Sequence, residues 1–128
     1  MKVASSADLA EVQKAGMQKI LPGKPRIAVG LATCGIAVGG NKVYERLQEI
    51  IARDRLDIVL TKTGCIGYCK EEPLVNITIP GKPLVILHKV TRDDAEEIVR
   101  QASEGKVPEK LALCRVPAWD HITGCTME

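Results

Sequence analysis

The sequence predicts a small two-layer α/β domain with a mixed four-stranded sheet and flanking helices. Three observations lead there. Four short apolar runs, at 26–31, 57–60, 74–79 and 84–87, have strand length and are bounded by glycine, proline or charged residues. The first two runs flank a segment with helical periodicity, the mark of a right-handed crossover between parallel strands. The last two are separated only by Pro80-Gly81-Lys82-Pro83, the mark of an antiparallel hairpin. At 128 residues, 45% hydrophobic and 27% charged, the chain is long enough for one core and ordinary in composition.

Each element follows in order. A helix is expected from Ser5 to about Ile20, with Ser5 or Ser6 as cap, Asp8 and Glu11 in its first turns, and Leu9, Val12, Gly16 and Ile20 on one face. The turn Leu21-Pro22-Gly23-Lys24-Pro25 breaks it. The run Arg-Ile-Ala-Val-Gly-Leu at 26–31 reads as a buried strand. A glycine-rich loop follows, and Asn41 is placed to cap a helix running to about Arg55. Val43, Leu47, Ile50 and Ile51 form that helix's apolar face, and Glu45, Arg46, Glu49 and Arg53 its wet one. The second strand, 57–60, should lie parallel to the first. After a second glycine-containing loop come the hairpin strands. Thr91 then caps a last helix, with Asp94 at the capping-box position, Ala95, Ile98, Val99 and Ala102 as its buried stripe, and Gly105 as its end. Beyond Gly105 the sequence loses regular patterning. Without the lead-in helix the order is βαβ followed by ββα, which matches a thioredoxin-like arrangement. It divides the chain into a helical lead-in at 1–25, the domain at 26–113, and an extension or linker at 114–128.

Composition excludes several function classes. The formal net charge is only +2, too small for an electrostatic nucleic-acid binder. Phenylalanine is absent, and Tyr44, Tyr68 and Trp119 are too few for a base-stacking platform. No uncharged apolar run approaches membrane-spanning length. Asp8 and Glu11 fall where a secretion signal needs apolar residues, so the expectation is a cytoplasmic protein.

The chemistry rests on five cysteines: Cys34, Cys65, Cys69, Cys114 and Cys125. In the cytosol such thiols serve metal binding or redox work more often than structural disulfides. Cys34 lies in the loop after the first strand, and Cys65 and Cys69 in the loop after the second. Parallel strands send both loops to the same sheet edge, so three thiols distant in sequence should meet there. An iron–sulfur cluster needs thiolates and nearby N–H donors. Gly35, Gly64 and Gly67, with Gly30, Gly39 and Gly40, let backbone amides approach an anionic group. A nucleotide-phosphate loop is not indicated, because Gly35 is followed by Ile36-Ala37 rather than Lys-Ser/Thr. Zinc and dithiol chemistry both favour C-x-x-C, whereas Cys65 and Cys69 are separated by three residues. Cys114, in Leu-Ala-Leu-Cys, reads as a small buried hydrophobe. His88 reads as structural, Lys62, Tyr68 and Lys70 as solvated loop residues or partner contacts, and Glu71 and Glu72 receive no acid–base role.

VGLATCGIAVGGNKVYERL, TGCIGYCKEEPLVNI and PGKPLVILHKVTRDDAEEIV together resemble the thioredoxin-like [2Fe–2S] ferredoxin family. The resemblance spans roughly residues 26–113. It is nearest to the form found as the N-terminal module of the NADH-binding flavoprotein subunit in NAD(P)-linked hydrogenases, formate dehydrogenases and complex I-like enzymes. It implies a [2Fe–2S] cluster and single-electron exchange with a flavin- and NAD(P)H-binding oxidoreductase subunit, the chain itself being a carrier rather than a catalyst. Three family ligands map onto Cys34, Cys65 and Cys69.

The fourth falls at position 29, which is Val29 here. The substitute is expected to be Cys125, with Cys114, the Thr33 hydroxyl or a water as alternatives. A neighbouring copy of the chain in a homodimer is a further source. Two readings without a cluster stay open: a thioredoxin-like docking module for a flavoprotein, and a thiol–disulfide protein using Cys65 and Cys69. In fused relatives a stretch like VPAWDHITGCTME leads into a flavin-binding module, so the chain reads equally as a stand-alone protein or part of a longer one.

Overall fold

A computed structural model of the chain describes residues 2–20, 23–116, 119–120 and 125–126, with side chains for all of these except 20, 119, 120, 125 and 126. The elements run α1 (Ser6–Ile20), β1 (Arg26–Gly30), α2 (Thr33–Ala37), α3 (Gly40–Arg53), β2 (Val59–Thr63), β3 (Val75–Thr78), β4 (Leu84–Leu87), α4 (Ala95–Ser103) and β5 (Ala112–Val116). A two-stranded ribbon of β6 (Trp119–Asp120) and β7 (Cys125–Thr126) follows.

The main sheet has the order β2-β1-β3-β4-β5. Its β1–β2 pair is parallel, with Gly30 opposite Thr63, and every other pair is antiparallel. The crossover and the hairpin are thus as the apolar patterning predicts. The fifth strand is an addition to the expected four, formed by a segment whose sequence has no clear alternation. Among the described residues it pairs along β4 alone, and it leaves Cys114, Arg115 and Val116 exposed.

The core lies between the sheet and helices α3 and α4. Ile27 and Val29 from β1, Val75 and Ile77 from β3, and Val85 and Leu87 from β4 meet Val43, Leu47 and Ile50 of α3 and Ile98 and Val99 of α4. These are the residues that helical and strand periodicity put inward. Leu47 is fully buried at the centre of this cluster. Truncation by Leu47→Ala should therefore cost about 2–5 kcal/mol, read as a lower urea midpoint with an unchanged slope.

The helix starts differ from expectation at one place. Asn41 lies inside α3, and the N-cap is Gly39 in the left-handed region, with no side-chain cap. At α1, Ser5 Oγ accepts from Asp8 N–H and the Asp8 carboxylate accepts from Ser5 N–H, a reciprocal cap as foreseen. The apolar stripe of α1 does not reach the core, since Leu9 and Val12 are exposed. Leu21 and Pro22 of the expected breaker lie outside the described residues. Thr91 and Asp94 form the expected capping box, which opens a single 3₁₀ turn before α4. Among the described residues no helix is long and apolar enough to cross a membrane.

Candidate metal centre

The parallel β1–β2 pair builds the site. Leu31 N–H donates to the Thr63 carbonyl at 2.9 Å, so the two chains leave the same sheet edge side by side. The first turns at once into α2, whose second residue is Cys34. The second reaches Cys65 two residues after β2 ends. Four residues later Cys69 opens a 3₁₀ turn, Cys69–Glu71.

Cys34 Sγ lies 3.3 Å from Cys65 Sγ, and Cys65 Sγ lies 3.4 Å from Cys69 Sγ. All three sulfurs fall within 4.8 Å of one another. Thiolate donors on one tetrahedral metal stand about 3.8 Å apart, so the set is close to ligating geometry before any metal is considered. Cys34 is half-buried, whereas Cys65 and Cys69 are exposed.

The loop electrostatics favour an anionic sulfur at Cys65. Gly67, at φ +85°, takes a conformation that costs other residues dearly and aims its N–H at Cys65 Sγ, 3.2 Å away. That donation, followed by the Cys34 thiol, lowers the Cys65 pKa below the ordinary thiol value. The neighbouring sulfurs of Cys69 and then Cys65 push Cys34 up to about 12. In metal-free protein, Cys65 should therefore alkylate with iodoacetamide at a lower pH than Cys34. Cys34 should remain protected through pH 9, as residue-resolved mass spectrometry will show.

The turn carrying Cys69 is fastened from behind. Lys89 N–H donates to the Glu71 carbonyl at 2.9 Å, and Val90 N–H to the Pro73 carbonyl at 3.2 Å. The Glu71 carboxylate meets His88 Nδ1 at 2.6 Å, giving the half-buried His88 the structural place expected of it. His88 holds Glu71 below the usual carboxylate range. A lowered carboxylate pKa stabilises the fold above its unfolded value, and that contribution fades as the solution is acidified through the folded value.

Of the cysteines proposed from sequence, three come together, Cys114 stands apart, and the side chain of Cys125 lies outside what the structure describes. Cys114 sits on the edge strand β5, with β4, β3 and β1 between it and β2. It is also exposed, which corrects the expectation of a buried thiol: an edge strand with an open face gives it no core to enter. Cys125 belongs to β7. The glycines separate as well. Gly67 donates to sulfur, Gly35 is wedged against Gly30 and Glu72, and Gly64 faces open space.

Sequence reasoning missed Glu72. It is only 6% exposed and is the one buried charged side chain among the described residues. Its Oε1 lies 3.7 Å from Cys34 Sγ, and its Oε2 has no hydrogen-bond partner. The available signal was its position, three residues after Cys69 and directly before Pro73, but nothing local distinguishes it from Glu71.

No family model matches the chain. Across 95 residues the chain is 39% identical to the NADP-reducing hydrogenase subunit HndB of Solidesulfovibrio fructosivorans, a match covering 69% of this chain and 75% of that one. A wild-type thioredoxin-like [2Fe–2S] ferredoxin from Aquifex aeolicus superposes with a TM-score of 0.60 at 22% identity, over 71% of this chain and 97% of its own. A second structure of a thioredoxin-like [2Fe–2S] ferredoxin from that organism gives 0.62 at 23% identity, over 72% and 92%. The shared fold, the three gathered thiols and the identity to the hydrogenase subunit place this chain in the thioredoxin-like [2Fe–2S] ferredoxin family.

Proposed function

We propose that the chain is an iron–sulfur electron-transfer module, carrying a [2Fe–2S] cluster on Cys34, Cys65 and Cys69 and serving an NAD(P)-linked, hydrogenase-type oxidoreductase. The observation that carries this is the meeting of three sulfurs within 4.8 Å at one sheet edge. Soft thiolates are the donors an iron–sulfide centre takes. When bound, the cluster supplies reversible one-electron chemistry; the chain's own residues supply position and field. Gly67 N–H stabilises the Cys65 thiolate, and the bonds from Lys89 and Val90 hold the Cys69 turn rigid.

The electron partner is a flavin- and NAD(P)H-binding subunit or domain. The relative's standing as one subunit of an NADP-reducing hydrogenase supports a partner of this class. So does the sulfur-bearing edge, where Ile36, Val38, Ile66 and Tyr68 are large apolar side chains left about half exposed in the Cys34 and Cys65 loops.

Anaerobic purification with iron and sulfide analysis tests the cluster. About two irons and two acid-labile sulfides per chain are expected, with visible absorption that bleaches on reduction. Protein that stays colourless after reconstitution refutes the cluster, and a reversible dithiol couple in iron-free protein would assign Cys65 and Cys69 to disulfide chemistry instead. The partner is tested separately, by mixing the oxidised holoprotein with a reduced flavoprotein of this class and following the bleaching.

A further inference from the structure

Three thiols leave a [2Fe–2S] cluster one ligand short, and the position where the family carries that ligand is Val29, buried in the core with no donor atom. The geometry points to Glu72: we propose that its carboxylate is the fourth protein ligand, which rests on the cluster reading above.

Four observations carry it. First, Glu72 stands beside Cys34, the thiol whose family partner is lost at Val29, with Oε1 3.7 Å from Cys34 Sγ. Donors sharing one tetrahedral metal through a sulfur and an oxygen stand about 3.6 Å apart. Second, Oε2 is buried and unpartnered. A buried carboxylate oxygen without a partner is costly, a cost that a bound cation removes, and none of the ion pairs among the described residues includes Glu72. A ferric ion held by Cys34 would be such a cation.

Third, the backbone keeps the carboxylate's place open. A Cβ at Gly30 would stand 3.6 Å from Glu72 Oε2, and one at Gly35 would stand 2.5 Å from it. At Gly30 that distance is ordinary contact, whereas at Gly35 a side chain would crowd the carboxylate, and the chain has glycine there. Fourth, the segment is fixed on both sides, by Lys89 N–H on the Glu71 carbonyl and Val90 N–H on the Pro73 carbonyl. A ligand held this way binds with little further loss of freedom.

The chemistry is consistent. Iron accepts carboxylate ligands in many protein sites. A carboxylate also bears the same single negative charge as a thiolate, so the cluster keeps the net charge of its all-cysteine form. A neutral water or Thr33 hydroxyl would not preserve it.

The test compares reconstituted wild type with Glu72→Gln, Glu72→Cys and Cys125→Ser, by iron and sulfide content, Mössbauer spectra of ⁵⁷Fe-loaded protein, and EPR of the reduced state. In the wild type two inequivalent irons are expected, one with the larger isomer shift of an oxygen-ligated site. Glu72→Gln, which keeps the shape but loses the anionic donor, should drop from about two irons per chain toward none. Glu72→Cys should retain iron and bring the two Mössbauer sites together. Cys125→Ser should match the wild type. If Glu72→Gln holds a full cluster with unaltered Mössbauer and EPR signals, Glu72 is not a ligand, although the cluster stands. If Cys125→Ser is the variant that loses iron, the extension supplies the donor and the proposal is overturned. If the wild type itself takes up no iron, the cluster reading fails and the ligand assignment falls with it. Thermal melts of the metal-free proteins separate ligand loss from unfolding, because a variant that still melts cooperatively near the wild type has lost iron for want of a donor.

Discussion

Cys65→Ser and Cys69→Ser should each empty the centre while leaving the fold untouched. Loss of one thiolate removes a soft donor and substitutes a hydroxyl that iron–sulfide centres hold poorly. Iron content should fall from about two per chain to near background, and the visible bands should vanish. The metal-free fold should not follow, for a reason of placement. Both side chains are exposed on the loop beyond β2, and neither belongs to the hydrophobic core. Surface substitutions of this kind usually shift stability by no more than about 0.5 kcal/mol, so metal-free melting curves should overlay. Cys34→Ser should lose iron too. Its metal-free fold should change slightly more, because Cys34 is half-buried and its thiol faces the Glu72 carboxylate. Iron retained in full by either Cys65→Ser or Cys69→Ser, with Mössbauer and EPR signals unchanged from the wild type, would show that residue not to be a ligand.

The parts of this architecture legible in the sequence are those where one local pattern decides the outcome. The apolar stripe of α3 between two buried runs was enough to foresee the parallel β1–β2 pair, and that pair alone brings Cys34 to Cys65. The hairpin and the Thr91–Asp94 capping box are local in the same sense. What escaped depends on tertiary placement. Leu9 and Val12 have the spacing of a buried face, yet α1 leaves them in solvent, since periodicity states which side is apolar but not whether anything covers it. The five residues of α2 are too few to be helical by propensity; they are wedged against Gly30 and followed at once by α3. Strand β5 is last in the order of the main sheet and its last three residues are exposed, so no alternation marks it. Glu72 is the extreme case. A glutamate between a lysine-glutamate pair and a proline reads as solvated, and only the packing of α2 against the β1 terminus buries it.

Gly35→Ala is expected to damage both stability and the centre, whereas Gly64→Ala should do neither. From sequence the two look alike, each a glycine beside a cysteine in a glycine-containing loop. The structure separates them. A Cβ at Gly35 would run into the Gly30 carbonyl and stand 2.5 Å from Glu72 Oε2, while at Gly64 it meets nothing within 4 Å. At Gly35 the obstacle is partly backbone, so it cannot be relieved by turning a side chain. The helix must lift off the end of β1. Alanine's better helix propensity returns at most about 1 kcal/mol, in a helix of only five residues, against an overpacking cost of about 1–3 kcal/mol or more. A net loss follows, read as a lowered urea midpoint. The displacement also reaches the metal site, because Cys34 is the residue before Gly35 and moves with it. Gly35→Ala should accordingly bind less iron than Gly64→Ala under identical reconstitution, and its Cys34 should alkylate faster in the metal-free state as the contact with Cys65 and Cys69 opens. Equal urea midpoints and equal iron contents for the two variants would mean that α2 is free to shift, and that the close approach of Gly30, Gly35 and Glu72 does not govern the position of Cys34.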